Sequence, residues 1–170
     1  MDVLEAIETR IEVRSYRDEP VDRDTRRAIL NAGRLAPSGR NLQHWRFVLV
    51  ADDDRLDGLA ERSPTGGWVA DAAFAVVVCT DPSYEYHDID AGRAVTHMQL
   101  AAWEQGIGSC LYTVDTVAAR EFLAVPEDYD LSLVAAFGYP EREVQGFKDR
   151  KPLEQVAFSE RFGERIELGR

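Results

Sequence analysis

The period of the apolar positions changes several times along the chain, and each change marks an element. In DVLEAIETRI, the residues Val3, Leu4, Ile7 and Ile11 recur at helical spacing, which predicts a first helix. The following EVRSY alternates and reads as extended. After DEPV, Asp22 stands where an N-cap is needed, and Asp24 falls in the first turn of a helix over RDTRRAILNAGRLA, which Pro37 stops. WRFVLVAD and FAVVVCTD are short and rich in β-branched and aromatic residues, so both predict buried strands. Between them the acidic DDDRLDGLAER predicts a short exposed helix, and SPTGGW, Ser63 to Trp68, predicts a loop.

From Asp88 to Gln105 the pattern stays helical, but Ala91, Ala94, Val95, Met98, Ala101 and Ala102 leave little purely polar face. A helix that is apolar on most sides is buried on most sides, and packing against a second subunit is one way to achieve that. GIGSC, Gly106 to Cys110, ends this helix with the glycine expected just past a C-terminus. A helix over DTVAAREFLAV, a loop at PEDYD and an apolar strand LSLVAAFGYP follow. From Glu141 onward the chain is mixed and charged, and FKDRKPLEQVAF is its locally basic segment. Helices and strands interleave without a regular βαβ rhythm, which predicts an α+β fold with a mixed sheet flanked by helices, in one domain over residues 1–170.

Charge narrows the functional classes. The chain has 31 acidic against 20 basic residues and a net charge of −11. Lysine occurs only at Lys148 and Lys151. Such a surface repels nucleic acid and anionic membranes, and no apolar run is long enough to span a bilayer. The acidic, amphipathic N-terminus has no signal core, so the expected location is the cytoplasm. Cys79 and Cys110 have apolar neighbours and read as core residues, and His44, His87 and His97 form no metal-binding pattern. No dinucleotide fingerprint, P-loop or serine nucleophile elbow is present, and the carboxylates sit in solvated runs rather than in a dyad.

Two features stand out against this acidic background. Arg10 and Arg14 near one end, and Lys148, Arg150 and Lys151 near the other, could converge on a phosphate through bidentate and charge-assisted hydrogen bonds. Solvation, or pairing with Glu12, Asp18 and Asp149, accounts for them equally well at this point. The second feature is APSGRNLQHWRFV, residues 36–48, which contains no acidic residue. Here Ser38 and Gly39 let backbone N–H groups point outward, and Arg40, Asn41, Gln43 and Trp45 supply donors and a flat ring. That equipment suits a planar heterocycle with carbonyls on its edge, or a loop that satisfies its own backbone.

Together RIEVRSYRDEPV, ILNAGRLAPSGRNLQHWRFVLV, DAGRAVTHMQLAAWEQGIGSC, VAAFGYP and KDRKPLEQVAF resemble, in order and spacing, the nitroreductase family of FMN-dependent oxidoreductases. The resemblance implies an intertwined homodimer with two FMN sites at its interface, each built from both subunits. It implies that Arg10, Arg14, Lys148 and Arg150 hold the FMN phosphate. Pro37, Ser38 and Gly39, with Asn41 and Gln43, would reach the flavin from the partner subunit. Leu111, Tyr112 and Thr113 would lie along the isoalloxazine, with a backbone N–H near N5. NADH or NADPH would deliver hydride to N5 and leave before a small acceptor such as a nitroaromatic or quinone enters, giving ping-pong kinetics. No protein acid or base is required for such chemistry. The alternatives are an FMN-binding dimer with little turnover, or a relative resembling the reductive dehalogenases or the flavin-destroying enzymes of the same fold.

Several positions depart from the family pattern. Ile11 and Glu12 stand where a second basic residue and a serine are common, and His44 stands in place of a usual proline. A carboxylate at position 12 must point away from a phosphate or bind a ribityl hydroxyl. The segment between the second strand and the long helix is short, which leaves Ser63 to Trp68 to reach the pyrimidine edge. The many carboxylates and scarce lysines also suit a salt-rich cytoplasm, where screening relieves self-repulsion. Thermal unfolding is therefore expected to move to higher temperature as sodium chloride is added, and a melting curve without such a gain would contradict that adaptation.

Overall fold

The computed structural model describes residues 1–144 and 148–166. Phe147, at the head of the locally basic segment, lies outside them. The core is organised by β2 (Phe74–Thr80), a run of apolar residues that is buried at every position. β1 (Trp45–Val50) and β4 (Asp130–Gly138) flank it, and β3 (Gly108–Tyr112) pairs with the far side of β4, giving the order β1-β2-β4-β3. Alternate side chains of a strand point to opposite faces, so β2 serves two cores. Phe74, Val76 and Val78 pack with Phe137, Ala94 and Met98 on one face, where Phe74 and Phe137 stack with centroids 4.9 Å apart. Ala75, Val77 and Cys79 pack with Leu56, Leu59 and Ala119 on the other.

α2 (Arg23–Arg34) and α4 (His87–Glu104) cover the first face, and α3 (Asp53–Glu61) and α5 (Thr116–Phe122) the second. The predicted N-cap is in place, since the Asp22 carboxylate accepts from the Asp24 and Thr25 N–H groups at 2.9 and 3.0 Å. α3 is not the exposed helix that its carboxylates suggested. Its acidic residues face outward, while Leu56, Leu59 and Ala60 are buried against the sheet. The strand β3 was hidden inside GIGSC and the residues after it, because five residues are too few to show a period of two. The ladders of the sheet are all antiparallel, and the parallel pairing that would make it mixed is confined to a bridge between Glu12 and Ser109.

α1 (Val3–Thr9) and the extended segment after it run along the end of this layered core. The Val13 N–H donates to the Ser109 carbonyl at 3.0 Å, and Arg17 N–H to the Tyr139 carbonyl at 2.9 Å. Gly108 permits the first of these contacts, because a Cβ there would lie 2.7 Å from the Val13 side chain. The result places residues 10–16 against the ends of β3 and β4. α4 buries Ala91, Ala94, Val95, Met98 and Ala102 and leaves Ile89, Arg93, Thr96 and His97 exposed. In one protomer it is therefore amphipathic rather than buried all round.

The link from α2 to β1 is fixed from below by Asp90, a carboxylate only 1% exposed on the first turn of α4. Asp90 accepts from the Gly39 N–H at 2.9 Å and from Arg93 Nη1 at 3.0 Å, and lies 3.1 Å from His44 Nε2. This accounts for His44, which contributes a side-chain tether that a proline could not. Gly39 is needed for close approach, since a Cβ would fall 1.7 Å from the Tyr84 hydroxyl. Arg40, Asn41 and Gln43 all have positive φ, at 51°, 57° and 49°, a conformation that costs free energy unless its surroundings impose it. Asp90→Ala would leave the Gly39 N–H and His44 without their buried partner, and we expect a loss of roughly 3 kcal/mol of unfolding free energy. Urea unfolding at fixed protein concentration measures this, and a loss within about 0.5 kcal/mol would contradict the role assigned to Asp90.

Candidate functional site

The segments around Arg10 and Lys148, far apart in sequence, meet at one corner of the molecule. Lys148, which follows the strand-rich half of the chain, donates from Nζ to the Ile7 carbonyl of α1. Its ammonium pKa is lowered, first by partial desolvation and then by repulsion from Arg10 and Arg150, with Glu8 acting in the opposite sense. Lys148 therefore lies near both Arg10 and Arg150. Arg14 lies on the other side of the same segment, within reach of the Cys110 thiol. Of the side chains singled out from the sequence, Arg10, Lys148 and Arg150 are thus neighbours, whereas Arg14 is directed to Cys110.

One carboxylate enters this corner. Glu12 Oε1 lies 2.7 Å from Arg10 Nη1, and Oε2 accepts from the Leu111 N–H at 3.1 Å. Burial disfavours the Glu12 charge, but the Cys110 thiol, the Arg10 guanidinium and the Leu111 N–H outweigh it and hold its pKa below the ordinary glutamate value. Cys110 is pushed up to about 12, by burial first and then by Glu12, and remains a thiol at neutral pH. Its proton also has the Leu111 carbonyl in reach at 3.1 Å. Glu12 therefore does not point away from the cations, and pairing with it accounts for part of Arg10.

Leu111 and Tyr112 end β3, paired with Ala135 and Val134 of β4, and Thr113 follows them, with Leu111 and Thr113 exposed. They line a cleft of about 310 Å³ together with Leu131, Ser132, Leu133 and Val134. The loop Ser63 to Trp68 is fastened to this wall, since Ser63 Oγ donates to the Thr113 carbonyl and Asp115 N–H to the Arg62 carbonyl at 2.7 Å. Trp68 meets the Tyr112 ring edge-on at 5.6 Å and packs against Tyr16 at 6.3 Å. Burial raises the Tyr112 phenol pKa, so this aromatic support is neutral.

The acid-free loop is built differently from expectation. Pro37, Asn41 and Gln43 are exposed, and Ser38 and Gly39 are half-buried. The Gly39 N–H does not point outward, because Asp90 accepts it, and the Gln43 N–H donates to Ser38 Oγ at 3.0 Å. Gln43 also donates from Nε2 to the Asn41 carbonyl at 3.3 Å. What faces solvent is the set of polar side chains, on a backbone that its own hydrogen bonds immobilise. Asp90 was missed as part of this arrangement. Its signal was legible, since Asp90, Ala94 and Met98 are spaced by four and a carboxylate in register with a buried helical stripe must have partners.

The loop and the cation corner are anchored near opposite ends of α4. The loop is tied to Asp90 at the start of α4, whereas Trp103 Nε1 near its end donates to Thr9 Oγ1, beside Arg10, at 2.9 Å. Thirteen residues of helix separate these anchor points by roughly 20 Å.

The model of the nitroreductase family matches residues 7–81 and 60–139. A protein of Archaeoglobus fulgidus with the provisional name NADH dehydrogenase/NAD(P)H nitroreductase is 35% identical over 150 residues, covering 82% of this chain and 86% of the relative. A provisionally named nitroreductase of Desulfovibrio desulfuricans, solved in complex with FMN, superposes with a TM-score of 0.83 at 33% identity, over 95% of this chain and 98% of that one. An FMN-dependent nitroreductase of Clostridium difficile superposes with a TM-score of 0.88 at 27% identity, over 94% of this chain and all of its own. On the sequence match and the shared fold alike, the chain belongs to the nitroreductase family.

Proposed function

We propose that this protein is an FMN-dependent oxidoreductase that takes hydride from NADH or NADPH and reduces a small acceptor, such as a nitroaromatic or a quinone. The observation that carries this reading is that Lys148 is docked on α1 near both Arg10 and Arg150, so that cations far apart in an acidic sequence gather at one corner. Like charges gather where an anion offsets their repulsion, and a phosphate monoester is the anion that the family relationship supplies. Arg14 completes the set that would hold it.

The redox chemistry is that of FMN when bound, and the protein contributes binding, orientation and exclusion of water. Leu111, Tyr112 and Thr113 offer an exposed edge and backbone along which a flat ring can lie, stiffened from behind by Trp68 and Ser63. Pro37, Ser38, Gly39, Asn41 and Gln43 form the opposite wall. Because roughly 20 Å of helix separates that loop from the cations of its own chain, the wall is supplied by a second copy, with FMN at the interface of a homodimer. The exposed Ile89, Leu35 and Leu42, near the loop end of the molecule, are apolar surface of the kind that such a dimer covers. Electron donor and acceptor use the same open cleft in turn, which gives ping-pong kinetics. Among the described residues no helix is long and apolar enough to cross a membrane. The supply of reduced nicotinamide places this single FMN-binding domain in the cytoplasm.

Purified protein is expected to be yellow and to bleach anaerobically with NADH or NADPH. Arg10→Ala and Arg150→Ala are each expected to weaken FMN retention by roughly 1.5–3 kcal/mol, measured by flavin fluorescence titration, because each removes a charged hydrogen-bond donor to phosphate. Protein that stays colourless after reconstitution with FMN would overturn the proposal, and unchanged affinity in both variants would overturn the phosphate assignment.

A further inference from the structure

Glu12 is the group in this corner that the proposed reaction does not use. Its two carboxylate oxygens are committed to Arg10, at 2.7 Å, and to the Leu111 N–H, at 3.1 Å. Both partners belong to the surfaces assigned to the cofactor, one to its phosphate and one to its ring system. The carboxylate is held there by the chain itself, since Glu12 is bridged to Ser109 and the next residue, Val13, donates its N–H to the Ser109 carbonyl at 3.0 Å. Its main chain is therefore fixed beside the site, and the carboxylate stays within reach of Arg10.

We propose that Glu12 is a built-in anion that competes with the flavin phosphate for Arg10, and so sets how strongly the site prefers FMN to the unphosphorylated flavin. The inference rests on the FMN reading given above. A phosphate monoester carries a charge of about −1.5 to −2 at pH 7 and draws on a guanidinium whose charge and Nη1 donor Glu12 already engages. Entry of that phosphate either breaks the Arg10–Glu12 pair or places two anions on one cation, and both outcomes weaken binding. Riboflavin has the same ring and ribityl chain but no phosphate, so it escapes this penalty. With Glu12 in place Arg10 gives the phosphate less than an unopposed guanidinium would, and the preference for FMN over riboflavin is correspondingly smaller.

Glu12→Gln separates this electrostatic role from a purely structural one. The amide oxygen still accepts from the Leu111 N–H, while the negative charge is gone. Glu12→Ser is the second variant, and thermal unfolding of each checks that the fold survives. Dissociation constants for FMN and for riboflavin are measured by flavin fluorescence quenching on the full chain. The expected result is that Glu12→Gln tightens FMN by about tenfold and leaves riboflavin unchanged, with Glu12→Ser acting in the same direction. FMN affinity that is unchanged or weaker in both folded variants overturns the inference. So does equal tightening of FMN and riboflavin, which would mark a packing effect without regard to phosphate. If neither the parent nor the variants bind FMN at all, the cofactor assignment falls and this inference with it.

Discussion

The constraint on which the molecule depends is the length of one rigid helix. α4 carries the anchor of the acid-free loop at one end and the anchor of the N-terminal arginine segment at the other. A helix of 18 residues cannot fold back to bring them together. On the proposed assembly the loop of one copy therefore faces the cations of another, and symmetry completes the site. The exposed stripe of α4 and the apolar side chains beside the loop are surfaces that such a second copy would cover.

Electrostatics sets the second level of organisation. A chain with a net charge of −11 would repel any phosphate, so the few cations that serve one must be concentrated and shielded from the rest. Folding concentrates them by returning the segment that follows β4 to α1, where the Lys148 ammonium is fixed by a main-chain carbonyl. The loop contributes by carrying no carboxylate over residues 36–48. Glu12 is the exception, and its position between Arg10 and β3 shows that the corner is balanced rather than simply positive.

Much of the fold was legible because its signals are local. Asp22 as a cap, Pro37 as a stop and the uniformly apolar β2 each act through neighbours a few residues away. The convergence of the chain ends was suggested by charge alone and needed the family resemblance to become specific, since sequence distance says nothing about which elements return to which. What stayed hidden was decided by packing across long separations. β3 was too short to show a period, α3 buried one side beneath a run of aspartates, and the Gly39 N–H was claimed by a carboxylate 51 residues away. Glu12 was visible as a departure, but only the structure shows that Arg10 and Leu111 hold it in place.

The central claim is that each site is assembled from the cations of one copy and the loop of another. A mixed dimer tests it most directly, made by co-expressing a differently tagged Arg10→Ala, Arg150→Ala chain with an Asn41→Asp, Gln43→Glu chain. Each parent homodimer should lose FMN, whereas the mixed dimer should recover FMN at one of its two sites, where intact cations face an intact loop. A mixed dimer that binds no more FMN than its parents would mean that each site is built within a single chain, and the account would be wrong.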